Sequence, residues 1–278
     1  MTKTMRKHAT ATILSLVMIA VGCGTSIGAE DDYTVQELNE QLVMATVWYQ
    51  TAAEMRAISY QTFAMAKVLF DMDLAKGKTA KSRAVIVDVD ETVLDNSPYE
   101  AGLIGKDFGY SKGWQEWIAA AKAWPLPGAV SFLNYVNSKG GAVFYISNRK
   151  ERDREGTMKN LKALGFPQVT NERVLLRDKN SDKEPRRQIV RNNYRIVLLM
   201  GDNLNDFSSV FAGKGVQDRF QEVDKIKEQF GTRFIVLPNP MYGEWEGAIY
   251  NYDWKLSPGA KNKARKAALD RWENNPEQ

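Results

Sequence analysis

The sequence predicts an α/β fold: a doubly wound, mainly parallel, Rossmann-like sheet with a long N-terminal helical segment and a small helical and aromatic cap. After Gly77, short apolar and β-branched runs typical of buried strands alternate with amphipathic helical stretches. This order is typical of parallel βαβ units. The chain has 278 residues, of which 44% are hydrophobic, so it is long enough to bury a sizeable core.

The first 22 residues are predicted to be an export signal. Lys3, Arg6 and Lys7 precede an apolar stretch over residues 11–21, which is short for a permanent membrane span. Removing residues 1–22 takes away three bases and no acids, so the formal charge falls from +4 to +1. The basic balance therefore belongs largely to the signal, and we expect no nucleic-acid polymer as a partner.

Cys23 is the single cysteine of the chain, and it follows Ile19-Ala20-Val21-Gly22. This run resembles a bacterial lipobox, although that pattern usually has leucine where this chain has Ala20. Gly24 replaces the aspartate that is associated with retention in the inner membrane. We therefore expect a lipid on Cys23, a tether over residues 23–33 and an outer-membrane location. Cleavage nearby and an uncleaved anchor are the alternatives.

The scarcity of histidine and cysteine excludes several classes of enzyme. The one histidine, His8, lies in the predicted signal, so the mature chain has none. Ser-His-Asp and Cys-His catalysis, histidine-ligated zinc and haem with a proximal histidine are thereby excluded. Intramolecular disulfides and cysteine clusters are excluded as well. Any catalysis must rest on carboxylates, lysines, hydroxyls, amides and a hard metal ion.

Residues 34–78 are predicted to be the N-terminal helical segment. There is no proline or glycine from Thr34 to Lys76, and we expect one long helix or two. Thr34 and Glu37 have the spacing of a capping box. The many aromatic and methionine side chains of this segment are expected to pack against the main domain rather than to form a ligand site.

Residues 79–278 are predicted to form the catalytic domain, with a small cap inserted at about residues 95–127. The predicted strands span residues 84–89, 142–146, 174–176, 196–200 and 233–237. The predicted helices between them span residues 128–138, 152–164, 185–192 and 217–230. Ligands of such sheets bind beyond the carboxyl ends of the strands, so the chemistry is expected there.

The first predicted strand ends in two aspartates, Asp88 and Asp90. Alternation along the strand and its exit sends both carboxylates to the same side. Two close carboxylates repel each other unless a cation or a shared proton intervenes, and an all-oxygen set without histidine indicates Mg²⁺. The alternative is that these residues only cap a helix.

Polar residues also follow the other strands. Ser147 and Asn148 offer a hydroxyl and an amide suited to phosphate oxygens, although turns often use such residues. Asp202 directly follows the fourth predicted strand, where it is placed to complete a metal site. Lys179 and Lys183 both lie between these segments, and either one is placed to neutralise a phosphate or a carboxylate.

These motifs together resemble the haloacid dehalogenase (HAD) superfamily, and within it the class C bacterial acid phosphatases, which are outer-membrane lipoprotein 5′-nucleotidases. The resemblance runs from about residue 33 to near the carboxyl terminus. It is carried by the segments DVDETVLDNSPY at 88–99, FYISNR at 144–149, GDNLNDF at 201–207 and PNPMYG at 238–243.

The resemblance implies a mechanism. Asp88 would attack phosphorus and form an aspartyl-phosphate, and Asp90 would act as general acid and then as general base. Mg²⁺ would be held by the Asp88 carboxylate, the Asp90 backbone carbonyl and Asp202. Ser147, Asn148 and Lys183 would bind the phosphoryl oxygens, Lys183 being favoured over Lys179. Asp206 would support Lys183 or a metal-bound water from behind.

The resemblance also implies a substrate class and an oligomeric state. Trp114 and Tyr242 would stack on either side of a nucleobase or another aromatic leaving group. We expect small phosphomonoesters as substrates, especially nucleoside 5′-monophosphates, and a homodimer. The alternatives are a phosphotransferase, a phosphatase for non-nucleotide esters, a dehalogenase and a surface lipoprotein that uses the fold only for binding. The presence of both Asp88 and Asp90 argues against the last two.

Overall fold

A computed structural model of the chain describes residues 33–272. The predicted signal, the predicted lipid site at Cys23 and the tether up to residue 32 lie outside the described residues. Within residues 33–272 no helix combines the length and the apolar character that a membrane crossing requires.

The N-terminal helical segment consists of three helices: α1 (Val35–Glu40), α2 (Leu42–Thr51) and α3 (Ala53–Leu74). The predicted capping box is confirmed, because the Glu37 amide donates to Thr34 Oγ1 at 3.1 Å and the Thr34 amide donates to Glu37 Oε2 at 2.7 Å. The prediction of one or two helices was wrong. Ala52 is extended, with ψ 123°, and it separates α2 from α3 without proline or glycine.

The predicted parallel sheet is confirmed. Between residues 33 and 272 the strands are β1 (Ser82–Val87), β2 (Leu94–Asp95), β3 (Trp124–Pro125), β4 (Ala142–Lys150), β5 (Val174–Arg177), β6 (Tyr194–Gly201) and β7 (Phe234–Val236). Five of them form the main sheet in the order β5-β4-β1-β6-β7, and every neighbouring pair is parallel. The central strand, β1, therefore ends between the ends of β4 and β6, which places their carboxyl-terminal residues side by side.

Helices cover both faces of this sheet. The helices after β1 are α4 (Ser97–Leu103), α5 (Trp114–Ala120), α6 (Ala129–Ser138), α7 (Arg154–Ala163), α8 (Glu184–Asn193), α9 (Val216–Lys225), α10 (Glu244–Ile249) and α11 (Pro258–Ala267). Val85 and Val87 of β1 join an apolar cluster with side chains of α3, α6 and α7. Ile86 joins a second cluster, which includes Val190 of α8. Alternate residues of β1 thus face opposite layers, as the period of a strand requires.

Several predicted boundaries differ from the observed ones. The first strand was predicted to reach residue 89, but it ends at Val87, and Glu91 has a positive φ of 52° in the turn that follows. β4 instead continues past its apolar run to Lys150, because Ser147 and Arg149 are buried and hydrogen-bonded. The helix predicted over residues 217–230 ends at Lys225, and a 3₁₀ turn follows it.

The predicted cap, at about residues 95–127, contains α4 and α5 between two short strands. β2 and β3 pair antiparallel, with Leu94 opposite Pro125, so the insertion leaves and re-enters the main domain at one point. α2 packs on α4 and α3 packs on α6. The cap is thereby held between the N-terminal helices and the carboxyl-terminal edge of the sheet.

Candidate active site

Asp88 is the first residue after β1, and it is buried. Its backbone amide donates to the Met200 carbonyl at 2.9 Å, which ties it to β6. Lys183, which immediately precedes α8, is also buried, and its Nζ donates directly to Asp88 Oδ1. The same ammonium lies 2.6 Å from Asp206 Oδ1. The structure thus brings Lys183 to Asp88, whereas the other candidate, Lys179, is exposed.

Three carboxylates converge at the ends of β1 and β6. Asp88, Asp202 and Asp206 each offer one oxygen, and these oxygens all lie within 4.8 Å of one another. Burial raises the pKa of Asp88 to about 7, an effect that Lys183 opposes and Asp206 and Asp90 reinforce. Burial, Asp206 and Asp88 also raise the pKa of Asp202 well above its ordinary value. The cluster therefore carries more negative charge than one lysine neutralises, so it fits a hard divalent cation.

The loop after β6 has the shape that this cluster needs. A Cβ on Gly201 would lie 2.3 Å from Asp206 Oδ2, so only glycine lets Asp206 fold back under the strand end. Asp206 Oδ2 accepts from the Asn203 amide at 3.0 Å. Asn239, which follows β7, donates to Asp202 Oδ2 at 2.8 Å. Backbone and side-chain donors thereby fix one oxygen of each of these two carboxylates.

Asp90 faces β4 and has a different set of partners. Its Oδ1 accepts from Arg149 Nε at 2.9 Å and from Asn96 Nδ2 at 2.9 Å. Its Oδ2 accepts from Ser147 Oγ at 3.2 Å. The Asp90 side chain is 19% exposed, compared with 7% for that of Asp88. The two aspartates therefore have distinct environments although they stand two residues apart.

No individual role was predicted for Arg149, which ends the FYISNR motif, or for Asn96, which lies in the DVDETVLDNSPY motif. Both side chains are buried. Asn96 Oδ1 accepts from Arg149 Nη2 at 3.1 Å and from Trp117 Nε1 at 2.9 Å, so Asn96 joins the cap to the acid at the end of β1. An arginine at the end of an apolar strand was the available signal, since a buried guanidinium requires an anionic partner.

Ser147 and Asn148 lie at the end of β4, next to Asp90. The Ser147 hydroxyl is fully buried and accepts from the Arg149 amide at 3.0 Å while it donates to Asp90. Asn148 is half-buried, and its Oδ1 accepts from Arg186 Nη2 at 2.7 Å. The Ser147 hydroxyl is thus occupied by protein partners, whereas the amide nitrogen of Asn148 faces away from Arg186.

Arg187 of α8 is a further residue of the site for which no role was predicted. It is fully buried, and its Nη1 donates to the carbonyls of Asn205 at 3.1 Å and Asp206 at 2.9 Å. Its Nε donates to Glu184 at 2.8 Å. The first turn of α8 therefore holds the loop after β6 through Arg187. Lys183, the residue just before the helix, contacts Asp88.

The two predicted stacking residues lie on different sides of the site. Trp114 of α5 is half-buried; its ring centroid is 4.8 Å from that of Tyr99, and the Arg149 guanidinium lies 5.6 Å from its centroid. It lines a cleft with Tyr110, Ser111, Gln115, Asn148, Lys150, Arg152 and Asp153. The Tyr242 amide is 3.4 Å from Asn239 Oδ1, on the side of Asp202. Within residues 33–272 no ring contact joins Trp114 to Tyr242.

The parallel α/β sheet, the aspartates at the ends of β1 and β6 and the buried lysine between them agree with the resemblance to the HAD superfamily. A sequence model of the family described as "HAD superfamily, subfamily IIIB (Acid phosphatase)" matches residues 4–245. The chain belongs to this family and, within it, to the class C acid phosphatases. It is a phosphomonoesterase by family membership.

Solved structures of a class C acid phosphatase and several curated proteins are similar to this chain. The class C acid phosphatase from Bacillus anthracis is 48% identical, with a TM-score of 0.82 over 85% of this chain and 99% of that one. The same figures hold for that enzyme with tungstate bound. A stem 28 kDa glycoprotein from Glycine max is 24% identical over 78% of this chain and 80% of its own. Acid phosphatase 1 from Solanum lycopersicum is 27% identical over 56% of this chain and 57% of its own.

Proposed function

We propose that this acid phosphatase is a Mg²⁺-dependent enzyme that hydrolyses nucleoside 5′-monophosphates and other small phosphomonoesters, aryl phosphates among them, through an aspartyl-phosphate. The observation that carries the proposal is the placement of Asp88, which is buried at the end of the central strand, in contact with Lys183 and within 4.8 Å of two further carboxylates. A release-of-phosphate screen over nucleotides, sugar phosphates and aryl phosphates tests the substrate class. Transfer of the phosphoryl group to an added alcohol in place of water would favour a phosphotransferase.

In the first chemical step, Asp88 attacks phosphorus and the bond to the ester oxygen breaks. Asp90 donates its proton to the departing oxygen, so the leaving group departs as a neutral alcohol. In the second step Asp90 takes a proton from water, whose oxygen attacks phosphorus and releases phosphate and the free Asp88 carboxylate. Asp88 and Asp90 are suited to these different roles because they have different hydrogen-bond partners, Lys183 for Asp88 and Arg149 for Asp90.

Two donors in the site are suited to the phosphoryl oxygens. Lys183 supplies a buried ammonium beside Asp88, and Asn148 supplies an amide at the end of β4. Ser147, which the resemblance assigns to the same task, contributes by holding Asp90 and the backbone of Arg149 in the present geometry. Fixed donors around a negatively charged group stabilise it without reorganisation during the reaction.

The acid cluster fits the metal that the family resemblance implies. Asp88, Asp202 and the Asp90 carbonyl would hold Mg²⁺, and Asp206 lies beside them with one oxygen on Lys183. When bound, Mg²⁺ supplies positive charge that draws the phosphate to Asp88 and offsets the repulsion between the two anions.

Metal removal is expected to abolish turnover. Treatment with EDTA should inactivate the enzyme on an aryl phosphate, because three converging carboxylates then face the phosphate with a single ammonium. Excess Mg²⁺ should restore activity, as measured by initial rates, and should raise the melting temperature of the EDTA-treated protein. A rate that is indifferent to chelation would contradict the metal assignment.

Trp114 and Tyr242 are proposed to contact the leaving group, because Trp114 lines the cleft that opens beside Asn148 and Tyr242 lies on the opposite side of the site. Replacing Trp114 by alanine should raise KM for a nucleoside 5′-monophosphate about 5- to 150-fold, since one base stacked on an aromatic ring contributes about 1–3 kcal/mol. KM for a small aliphatic phosphate should change little.

Trp124, which is 70% exposed in β3, provides the matched control, and Trp124→Ala should leave both KM values near those of the wild type. Equal effects of Trp114→Ala on the KM values of nucleotide and aliphatic substrates would show that Trp114 only contributes to packing within the cap.

The outer-membrane anchor at Cys23 and the homodimer are proposed on the family resemblance and the lipobox-like run alone. A lipid at residue 23 would place the catalytic domain at the end of a tether of about ten residues, where small phosphomonoesters outside the inner membrane would be its substrates.

A further inference from the structure

The side-chain amide of Asn148 has two ends of opposite chemistry. Its oxygen only accepts hydrogen bonds, and its nitrogen only donates them. The free oxygens of a phosphate ester are acceptors, so Asn148 assists phosphate binding only if its nitrogen faces the substrate. A rotation of the amide by half a turn would present the oxygen instead and repel the phosphate.

Arg186 of α8 determines which end faces the substrate. It is 9% exposed, and its guanidinium has donors but no acceptor. Its Nη2 lies 2.7 Å from Asn148 Oδ1, and its Nη1 donates to the Ser147 carbonyl at 2.6 Å. The amide oxygen of Asn148 is therefore drawn to the guanidinium, and the nitrogen is left for the cleft that Asn148 lines.

The position of Arg186 is itself fixed from the other side. Its Nη2 also lies 3.1 Å from the Asp182 carbonyl and 3.4 Å from the Ser181 carbonyl, in the loop that leads to Lys183. Burial lowers the pKa of Arg186, whereas the negative charge of Asp88 raises it. One side chain thus connects the end of β4 to the loop that carries the buried lysine.

We propose that Arg186 is a positioning residue for the phosphate site, which acts by holding the Asn148 amide with its nitrogen toward the substrate phosphate. This inference rests on the proposed function, in which Asn148 binds a phosphoryl oxygen. Arg186 itself does not contact the substrate. Its effect on phosphate binding passes through Asn148.

The test is a double-mutant cycle with Asn148→Ala, Arg186→Met and the double variant. The readouts are the inhibition constants of inorganic phosphate and of tungstate, together with kcat and KM on an aryl phosphate. Each single variant should weaken inhibition about 10- to 100-fold, the range expected for a hydrogen bond to a charged group. Inhibition of the double variant should be no weaker than inhibition of Asn148→Ala, because Arg186 has nothing to orient once the amide is gone.

Two further variants separate this effect from a general loss of stability. Arg173→Met removes a part-buried arginine that contacts Tyr194 near the amino-terminal ends of β5 and β6, away from the site. It should leave both inhibition constants unchanged. Arg186→Lys keeps the buried charge but lacks the planar fork that reaches both Ser147 and Asn148. It should weaken inhibition by at least about threefold with little change in melting temperature.

The outcomes distinguish the inference from the proposed function. If Asn148→Ala weakens inhibition but a folded Arg186→Met or Arg186→Lys variant does not, Asn148 binds phosphate and the positioning role of Arg186 is wrong. If the effects of Asn148→Ala and Arg186→Met are additive, Arg186 acts independently and the inference is overturned. If Asn148→Ala has no effect, the assignment of Asn148 to phosphate fails, and the inference fails with it.

Discussion

Replacing Asp88 by asparagine is expected to lower kcat by roughly 10⁴-fold or more, since a carboxamide cannot form the covalent intermediate. The variant should still fold. Asp88 is one of three carboxylates within 4.8 Å, and removal of one negative charge relieves the repulsion among them, while Lys183 retains Asp206 as its partner. The melting temperature of the metal-free variant should therefore equal or exceed that of the metal-free wild type.

The measurement is phosphate release from an aryl phosphate, with trapping of the phosphorylated enzyme at low pH. With a substrate whose phosphoryl group is labelled, the trapped wild-type enzyme should carry the label and trapped Asp88→Asn should carry none. Asp224→Asn, an equivalent change at an exposed position of α9, is the control for the substitution itself. Near-normal turnover by Asp88→Asn would remove Asp88 as the nucleophile.

Replacing Lys183 by methionine should impair both catalysis and stability. Lys183 is the buried ammonium that contacts both Asp88 and Asp206. Its loss removes the cation that offsets their charge, and breaking a buried ion pair in this way costs about 3–5 kcal/mol. We expect kcat/KM to fall by about 10²- to 10³-fold, as for the loss of one positioned donor to the reacting group. The melting temperature should fall in EDTA and recover in part with Mg²⁺.

Lys179 provides the matched control, because it is exposed and belongs to the same loop. Lys179→Met should retain wild-type kcat/KM and stability. If Lys179→Met loses activity and Lys183→Met does not, the phosphate-binding lysine has been assigned to the wrong residue.

The sequence predicted the parts of the site that follow directly from local pattern. An apolar run with an aspartate at or next to its end predicts that Asp88 and Asp202 lie at the carboxyl-terminal edge of a parallel sheet. Lys183 was favoured by resemblance, and the structure places it beside Asp88. These residues were accessible because their positions depend on strand ends, which short apolar runs reveal.

The remaining residues depend on contacts between distant parts of the chain. The burial of Arg149 is explained by its hydrogen bond to Asp90, which is 59 residues away in the sequence. The burial of Arg186 is explained in part by its hydrogen bond to Asn148, which is 38 residues away. On a single helix or strand, an arginine that is destined for burial looks the same as one that faces solvent. The break at Ala52 was missed for a similar reason, since alanine favours helix and only the packing of α2 on α4 and of α3 on α6 accounts for it.

The acidic, phosphate-binding and positioning side chains of the site come from five separate stretches of the chain, which meet where the strands of one sheet end: residues 88–96, 147–149, 183–187, 202–206 and 239. None of these stretches contains more than a part of the site, and β1 is bounded on both sides by strands that lie later in the sequence. Phosphate release is therefore a property of the completed sheet, and the recovery of turnover during refolding counts native molecules directly. A spectroscopic signal from helices such as α3 would also include partly folded ones.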